Sequence, residues 1–242
     1  MRYIQKDFET LVVQQHEHEL TALQMDEESL RNPNVHFGQS GRQLYETIRE
    51  MSTFPALKKQ MYKEQGGVCC YCGMKLEYPF DPQYRVEHVQ PKESHRELVG
   101  EYRNLLLSCR ATIVENKLRA GTHNKKQRKE YIHCDEAKGS QEITYSPLNH
   151  DCENAFWYDL KGGIHHKNQD ADRDIRVLGL SGAYLNSRRK AAIESLVVGE
   201  HVLSVDDLIA FRDGLQHRNA EGKFAEFYFV IIDAINQLLS AK

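Results

Sequence analysis

The chain has 242 residues, of which 28% are charged and 40% are hydrophobic. This size and composition are typical of a folded protein with its own core and exclude an intrinsically disordered chain. The sequence has no run of about 18 apolar residues, which a membrane-spanning helix needs, and no signal-peptide pattern at its start, so we expect a cytoplasmic protein. In a reducing compartment its six cysteines are not expected to form disulfides, and those that cluster are expected to be metal ligands or catalytic thiols.

The first zone, residues 1 to 65, has helical patterning. Thr53 and Pro55 are suited to a helix start, Leu57 and Met61 are spaced i, i+4, and Gly66-Gly67 ends the run. We therefore expect a helix that leads the chain directly to Cys69.

The middle zone, residues 66 to 166, begins with Cys69-Cys-Tyr-Cys72, a CxxC spacing that can direct two sulfurs at one tetrahedral ion. A thioredoxin-like redox pair would instead follow a strand and open a helix, so the preceding helix and Gly-Gly favour zinc.

Cys109 and Cys134 are the candidates for the other two ligands, because each flanks polar residues of the possible catalytic unit. Cys152 or His133 remains an alternative to Cys134. Cys70 is expected to pack as a small buried hydrophobe.

Several polar and basic residues of this zone are of types that can take part in catalysis or contact phosphate, but each one alone is a weak signal. Glu87-His88, Asn104 and Asp135 lie between or beside the cysteines, and Lys92 and Lys138 follow two of these motifs. The formal net charge is −3, which gives little indication of nucleic-acid binding, but one segment is strongly basic. That segment is either a phosphate-binding stripe or a solvated loop; its basic residues are Arg110, Lys117, Arg119, Lys125, Lys126, Arg128 and Lys129.

Two further elements complete the pattern. The segment Phe156-Trp-Tyr-Asp-Leu, followed by Lys161-Gly-Gly and Ile164-His-His, predicts a hairpin with a glycine turn. In the last zone, residues 167 to 242, an i, i+3, i+4 apolar stripe runs from Phe224 to Leu239 and predicts an amphipathic helix. This stripe is either core or a partner surface.

The motifs CxxC, EHxxPK, NLxxxC and CDxxKG occur in that order over about residues 66 to 140. In this respect the chain resembles the HNH endonuclease superfamily, and within it the retron-associated or Septu-type branch, the PtuB proteins. Ser146-Pro-Leu and the predicted hairpin are also similar to that branch. The resemblance implies an α+β protein with a ββα-metal (HNH) nuclease core and zinc knuckle, flanked by N- and C-terminal helical segments.

The resemblance also implies a role for each motif residue. His88 is expected to be the general base and Asn104 to support the loop between the two strands. Glu87 and Asp135 would bind the catalytic ion, and their hard oxygen atoms favour Mg²⁺ or Mn²⁺. Many relatives carry asparagine or histidine where this chain has Asp135. Phosphate contacts are expected from the basic residues, namely Lys92, Lys125, Lys126, Arg128, Lys129 and Lys138.

The implied function is hydrolysis of phosphodiester bonds in nucleic acid, DNA in preference to RNA, as the effector of an anti-phage defence complex. The implied partners are a PtuA-like ATPase of the ABC or SMC type and, in some systems, a retron reverse transcriptase with its noncoding RNA. Two other hypotheses remain. One is a zinc-stabilised adaptor without catalysis that binds nucleic acid or protein. The other is a thiol oxidoreductase that uses Cys69 and Cys72.

Overall fold

A computed structural model describes residues 1–26, 40–77, 84–110, 131–198 and 201–241 of the chain. The helices are α1 (Leu11–Asp26), α2 (Gly41–Arg49), α3 (Phe54–Glu64), α4 (Asp135–Lys138), α5 (Cys152–Ala155), α6 (Gln169–Val177), α7 (Ala183–Glu194), α8 (Val205–Leu215) and α9 (Tyr228–Ser240). The strands are β1 (Tyr84–His88), β2 (Leu105–Cys109), β3 (Phe156–Tyr158), β4 (Ile164–His166), β5 (Val197–Val198) and β6 (His201–Val202). This mixture of helices and small antiparallel sheets confirms the predicted α+β class.

Helix α3 forms where its sequence predicts. Thr53 is the N-cap, Pro55 lies in the first turn, and Leu57 and Met61 are fully buried. The helix ends at Glu64, just before Gly66 turns the chain at a φ of +60°. The chain then enters the cysteine zone, as the sequence indicates.

Strands β1 and β2 form an antiparallel pair that is the platform for the candidate site. Tyr84 pairs with Cys109 at one end and His88 with Leu105 at the other. All five residues of β2 are buried, and the side-chain amide of Gln65 forms hydrogen bonds of 2.7 and 2.8 Å with the backbone of Leu107. The C-terminal end of helix α3 is thereby tied to β2.

The predicted hairpin is present as β3 and β4, with Phe156 opposite His166 and Tyr158 opposite Ile164. The turn contains Gly162 at a φ of +81°. The last zone is mainly helical, but it also contains the two-residue strands β5 and β6, which the helical periodicity did not predict.

Helix α9 resolves the choice that the apolar stripe left open. Its residues from Tyr228 to Ile232, with Ala234 and Ile235, are buried, and the partly buried Phe224, Leu238 and Leu239 pack against the same core, so most of this stripe forms core. Buried residues from all three zones belong to one hydrophobic core. The zone boundaries after residues 65 and 166 stay predictions. Among the described helices, none has both the length and the apolar character needed to span a membrane.

Candidate functional site

The first cysteine pair lies on a tight loop that an antiparallel bridge between Val68 and Lys75 closes. The backbone N–H of Cys69 donates to the Met74 carbonyl at 2.8 Å. Gly73 turns the chain at a φ of +80°, and a Cβ atom there would lie 2.7 Å from the Phe229 ring. A side chain is therefore excluded at the position that directs Cys69 and Cys72 to the same side.

Four buried cysteines, Cys69, Cys72, Cys109 and Cys134, come together with all their Sγ atoms within 4.8 Å of one another. Sulfurs bound about 2.3 Å from one zinc ion in a tetrahedron would lie roughly 3.8 Å apart. The Sγ atoms of Cys69 and Cys134 are 3.8 Å apart, and those of Cys72 and Cys109 are 3.6 Å apart. The group therefore has the ligand type, number and spacing of a structural zinc site.

Cys134, rather than either alternative, supplies the fourth sulfur of this group. The His133 Nε2 atom lies 3.3 Å from the Cys109 Sγ atom, so this ring touches a ligand sulfur from outside the group. Cys152 is buried elsewhere and is not part of the group. Cys70 is also buried and lies outside it, as predicted.

The backbone at Cys134 has an uncommon conformation, with a φ of +59°. Its N–H donates to the Leu178 carbonyl at 2.8 Å, and helix α4 begins at the next residue, Asp135. A non-glycine residue in such a conformation costs on the order of 1–3 kcal/mol, which surrounding interactions must offset. This turn lets Cys134 point to the sulfur group while Asp135 points to a different site.

That second site is a cleft of about 100 Å³ beside the end of β1 and the start of α4. Its walls are formed by Glu87, His88, Pro91, Lys92, Glu93, Asp135, Gly139 and Ser140. The strand pair and the helix thus bring together three residues that the motifs singled out, Glu87, His88 and Asp135.

The carboxyl groups of Glu87 and Asp135 both line this cleft, close enough for Asp135 to affect the pKa of Glu87. Burial and the hydrogen bond with Asp135 raise the pKa of Glu87 to about 8, against the lowering effect of Lys138. Near neutral pH Glu87 is therefore largely protonated. Two adjacent carboxyl groups, one of which holds a proton that a cation can displace, are suited to bind a hard divalent ion.

His88 is buried at the end of β1 with one ring nitrogen engaged. Its Nε2 lies 3.0 Å from the Val99 carbonyl oxygen, which requires a proton on Nε2. Burial, followed by the positive charge of Lys92, lowers the pKa of His88 to about 4. The ring is therefore neutral at physiological pH, and within the described ranges no hydrogen bond involves its Nδ1 atom. This nitrogen has a lone pair that can accept a proton.

Asn104 holds the loop that connects β1 to β2. Its Oδ1 atom accepts a 2.7 Å hydrogen bond from the backbone of Gln90, and its Nδ2 atom donates to the carbonyls of Gln90 and Leu98. The Asn104 carbonyl also accepts from Val89 at 3.0 Å. Asn104 is 3% exposed, so its side chain positions the loop and does not line the cleft.

The predicted phosphate contacts have different placements. Lys92 lines the cleft, with its Nζ atom 5.6 Å from the centre of the Tyr45 ring. Lys138 is buried with 1% exposure, and its Nζ atom contacts Glu87 and the His88 carbonyl. This burial argues against the predicted phosphate contact by Lys138. Lys125, Lys126, Arg128 and Lys129 lie outside the described residues.

Sequence patterns did not indicate three contributors to the cleft. Tyr71, between the first two cysteines, donates a 2.7 Å hydrogen bond to the Glu87 Oε1 atom. Tyr45 of α2 packs its ring edge-on against His88, with centroids 4.8 Å apart. Glu93 accepts hydrogen bonds of 2.9 and 3.0 Å from the first two backbone N–H groups of α2. Helix α2 is thus fastened to the rim of the cleft, although no motif connects these segments.

Comparison of the chain with protein-family models and with curated proteins gave no match. The resemblance to HNH endonucleases is therefore neither supported nor opposed by these comparisons, and the interpretation of the cleft depends on its own residues.

Gly41 is the first residue of α2 and does not line the cleft, but replacing it is expected to destabilise the packing of α2 against the cleft. A Cβ atom on Gly41 would lie 2.0 Å from the carbonyl oxygen of Lys92, so the Gly41→Ala side chain must displace backbone. We expect a loss of about 1–3 kcal/mol in the free energy of unfolding, measured by urea denaturation. Gly214→Ala is the control, since Gly214 lies in helix α8 with no atom within 4 Å of a new Cβ. It should be stabilised by up to about 1 kcal/mol. Equal stability of Gly41→Ala and wild type would contradict the close contact.

Proposed function

We propose that this protein is a metal-dependent nuclease of the HNH type. The observation that supports this best is the meeting of Glu87, Asp135 and a neutral His88 in one cleft of about 100 Å³. A strand pair and a short helix supply these three residues, in the order expected of a ββα-metal unit. The same helix begins beside a cysteine that belongs to the candidate zinc site.

His88 is the group that would accept the proton of the attacking water. Its Nε2–H is held by the Val99 carbonyl, which fixes the ring orientation and directs the basic Nδ1 away from that bond. A low pKa keeps the ring available as an acceptor, although a weak base transfers protons less readily. A bound phosphodiester would bring negative charge next to the ring and raise its pKa towards the useful range.

Glu87 and Asp135 are the residues that would hold the catalytic ion. Both offer carboxylate oxygens, so Mg²⁺ or Mn²⁺ fits them better than zinc does, whereas the sulfur group fits zinc. When bound, such an ion supplies positive charge that stabilises the transition state of phosphodiester hydrolysis. Asn104 contributes by fixing the loop that carries Lys92 and Glu93 past the cleft.

The proposal includes nucleic acid, DNA in preference to RNA, and a partner. Lys92 faces the cleft and is suited to contact a phosphate oxygen. With a formal net charge of −3, the chain by itself has little general attraction for nucleic acid. A PtuA-like ATPase that grips nucleic acid would supply this attraction in an anti-phage complex, in some systems with a retron reverse transcriptase and its noncoding RNA.

The test is the metal dependence of cleavage by the protein together with its genomic neighbours. Plasmid DNA and total RNA are incubated with Mg²⁺, Mn²⁺ or EDTA, using wild type and Asp135→Ala. We expect cleavage with Mg²⁺ or Mn²⁺ only, and at least a tenfold loss in Asp135→Ala that higher Mn²⁺ partly restores, because Mn²⁺ binds such sites more readily than Mg²⁺. Asp151→Ala, which changes an exposed carboxylate, is the control. Nucleic-acid binding without metal-dependent cleavage would instead identify a non-catalytic adaptor.

A further inference from the structure

The hairpin of β3 and β4 carries a stacked pair of aromatic rings on its outer face. Trp157 lies between Phe156 and Tyr158, which are buried, and is itself 39% exposed. Its partner across the hairpin is His165, and the two ring centroids are 4.1 Å apart with an interplanar angle of 17°. His165 therefore covers one face of the indole, and the exposed surface belongs to the rest of that ring.

Contacts within the hairpin hold this pair in place before any ligand binds. The His165 Nε2 atom lies 2.7 Å from the Asp159 Oδ2 atom, and Oδ1 of the same carboxylate accepts a 2.8 Å hydrogen bond from the backbone N–H of Lys161. The turn also packs closely on helix α7, since a Cβ atom on Gly162 would lie 2.3 Å from the carbonyl oxygen of Asn186. A ring that is already fixed loses little conformational entropy when a flat ligand stacks on it.

Positive charge flanks the stacked pair. Lys161 lies in the turn, and Lys167 follows two residues after His165, so strand alternation places it on the same side of the hairpin as that ring. Both lysines are exposed, and among the described residues neither ammonium group forms an ion pair. Asp159, the one acid of the hairpin, is engaged by His165. An exposed aromatic surface beside unpaired cations is typical of sites that bind single-stranded nucleic acid.

We infer that this face of the hairpin binds nucleic acid that has unpaired bases. One base stacks on Trp157, and Lys161 and Lys167 contact the phosphates on either side of it. Every base has a flat π-face, so such stacking discriminates little between sequences, but it requires a base that is free of its duplex. The inference rests on the proposed function in taking nucleic acid as the ligand, and it adds a preference for single-stranded regions. It does not depend on cleavage.

Trp157 is the only tryptophan of the chain, so tryptophan fluorescence reports directly on this surface. The full-length protein is titrated with a short oligothymidylate at low salt and without added divalent ions, under excitation selective for tryptophan. A second titration uses an abasic strand of the same length and charge, and the anisotropy of a dye on each strand measures its Kd. Oligothymidylate is expected to quench the Trp157 emission and to bind about tenfold more tightly than the abasic strand.

Variants then separate contacts with the base from contacts with the phosphates. Trp157→Ala should weaken the binding of oligothymidylate about tenfold and leave the abasic strand unaffected, whereas Trp157→Phe, which keeps a ring, should retain most of the affinity. Replacing both Lys161 and Lys167 by methionine should weaken both strands alike, because it removes phosphate contacts. Leu160→Ala is the matched control, since it removes an exposed apolar side chain from the same hairpin and should leave both Kd values unchanged. The wild-type titration gives an answer even if a variant does not fold.

Three results would overturn the inference: no binding of oligothymidylate, binding that leaves the Trp157 emission unchanged, or equal Kd values for the two strands. A blue shift of the Trp157 emission on adding the protein partner, with no response to oligothymidylate, would make this face a protein interface instead. A wild-type protein that shows metal-dependent cleavage but fails these tests overturns the inference alone. Quenching by oligothymidylate without any metal-dependent cleavage overturns only the proposed function.

Discussion

The His88→Ala protein is expected to cleave nucleic acid about 10²- to 10⁴-fold more slowly than wild type, because the change removes the proposed proton acceptor. His88 belongs neither to the cysteine group nor to the carboxylate pair, so zinc content and fold should be unchanged. Cleavage rates in the presence of the partner, with zinc measured by atomic absorption, test this expectation. Higher Mn²⁺ should not restore activity, in contrast with Asp135→Ala.

His95→Ala is the matched control for this experiment. His95 lies on the same loop between β1 and β2, but its ring is partly exposed and contacts Glu97 and Glu142. The control protein should cleave at nearly the wild-type rate. If His88→Ala also cleaves at the wild-type rate, the proton acceptor is wrongly assigned and the activity belongs to another residue or subunit.

The Cys72→Ser protein is expected to lose its zinc and to unfold without a cooperative transition. Structural zinc sites contribute on the order of 10 kcal/mol to folding in small peptides, an amount comparable with the whole stability of an ordinary domain. The four sulfurs come from the loop after α3, the end of β2 and the start of α4, so an ion bound to them would hold together elements that are distant in sequence. Zinc stoichiometry and thermal unfolding followed by circular dichroism measure this effect.

Cys152→Ser separates loss of the metal from the cost of a buried hydroxyl. Cys152, like Cys72, is fully buried, but it is not part of the sulfur group. An unpaired buried hydroxyl costs about 1–3 kcal/mol, so this control should keep its zinc and lose only part of its stability. One zinc per chain retained by Cys72→Ser would place the metal elsewhere.

The parts of the molecule that the sequence predicts are those with local signals. The CxxC spacing, the stop at Gly66-Gly67 and the glycine turn at Gly162 each fix structure within a few residues, and the structure has all three. The apolar period of the last zone predicts helix α9, but it does not say what covers its apolar face. An apolar period shows that one face of a helix is buried, but it does not show which residues cover that face.

The parts that the sequence does not predict depend on contacts between distant segments. A lysine is usually exposed, and nothing near Lys138 in the sequence shows that its Nζ atom reaches the carbonyl of His88, fifty residues away. Tyr45 and Gly41 belong to a helix without any motif, and their contacts with the cleft exist only once α2 has packed. Tyr71 is an unspecified position within CxxC, so its bond to Glu87 has no sequence signal either.

The adjacency of Cys134 and Asp135 means that the two candidate metal centres are separated by a single peptide unit. We expect that loss of an ion from the sulfur group would relax the backbone at Cys134, where φ is +59°, and so move Asp135 relative to Glu87. A chelator strong enough to remove zinc is therefore expected to weaken the carboxylate site as well, whereas a weak chelator is expected to remove only the ion at Glu87 and Asp135. If added Mg²⁺ alone restores cleavage, only the ion at Glu87 and Asp135 had been removed. If recovery also needs zinc, the backbone between Cys134 and Asp135 had moved.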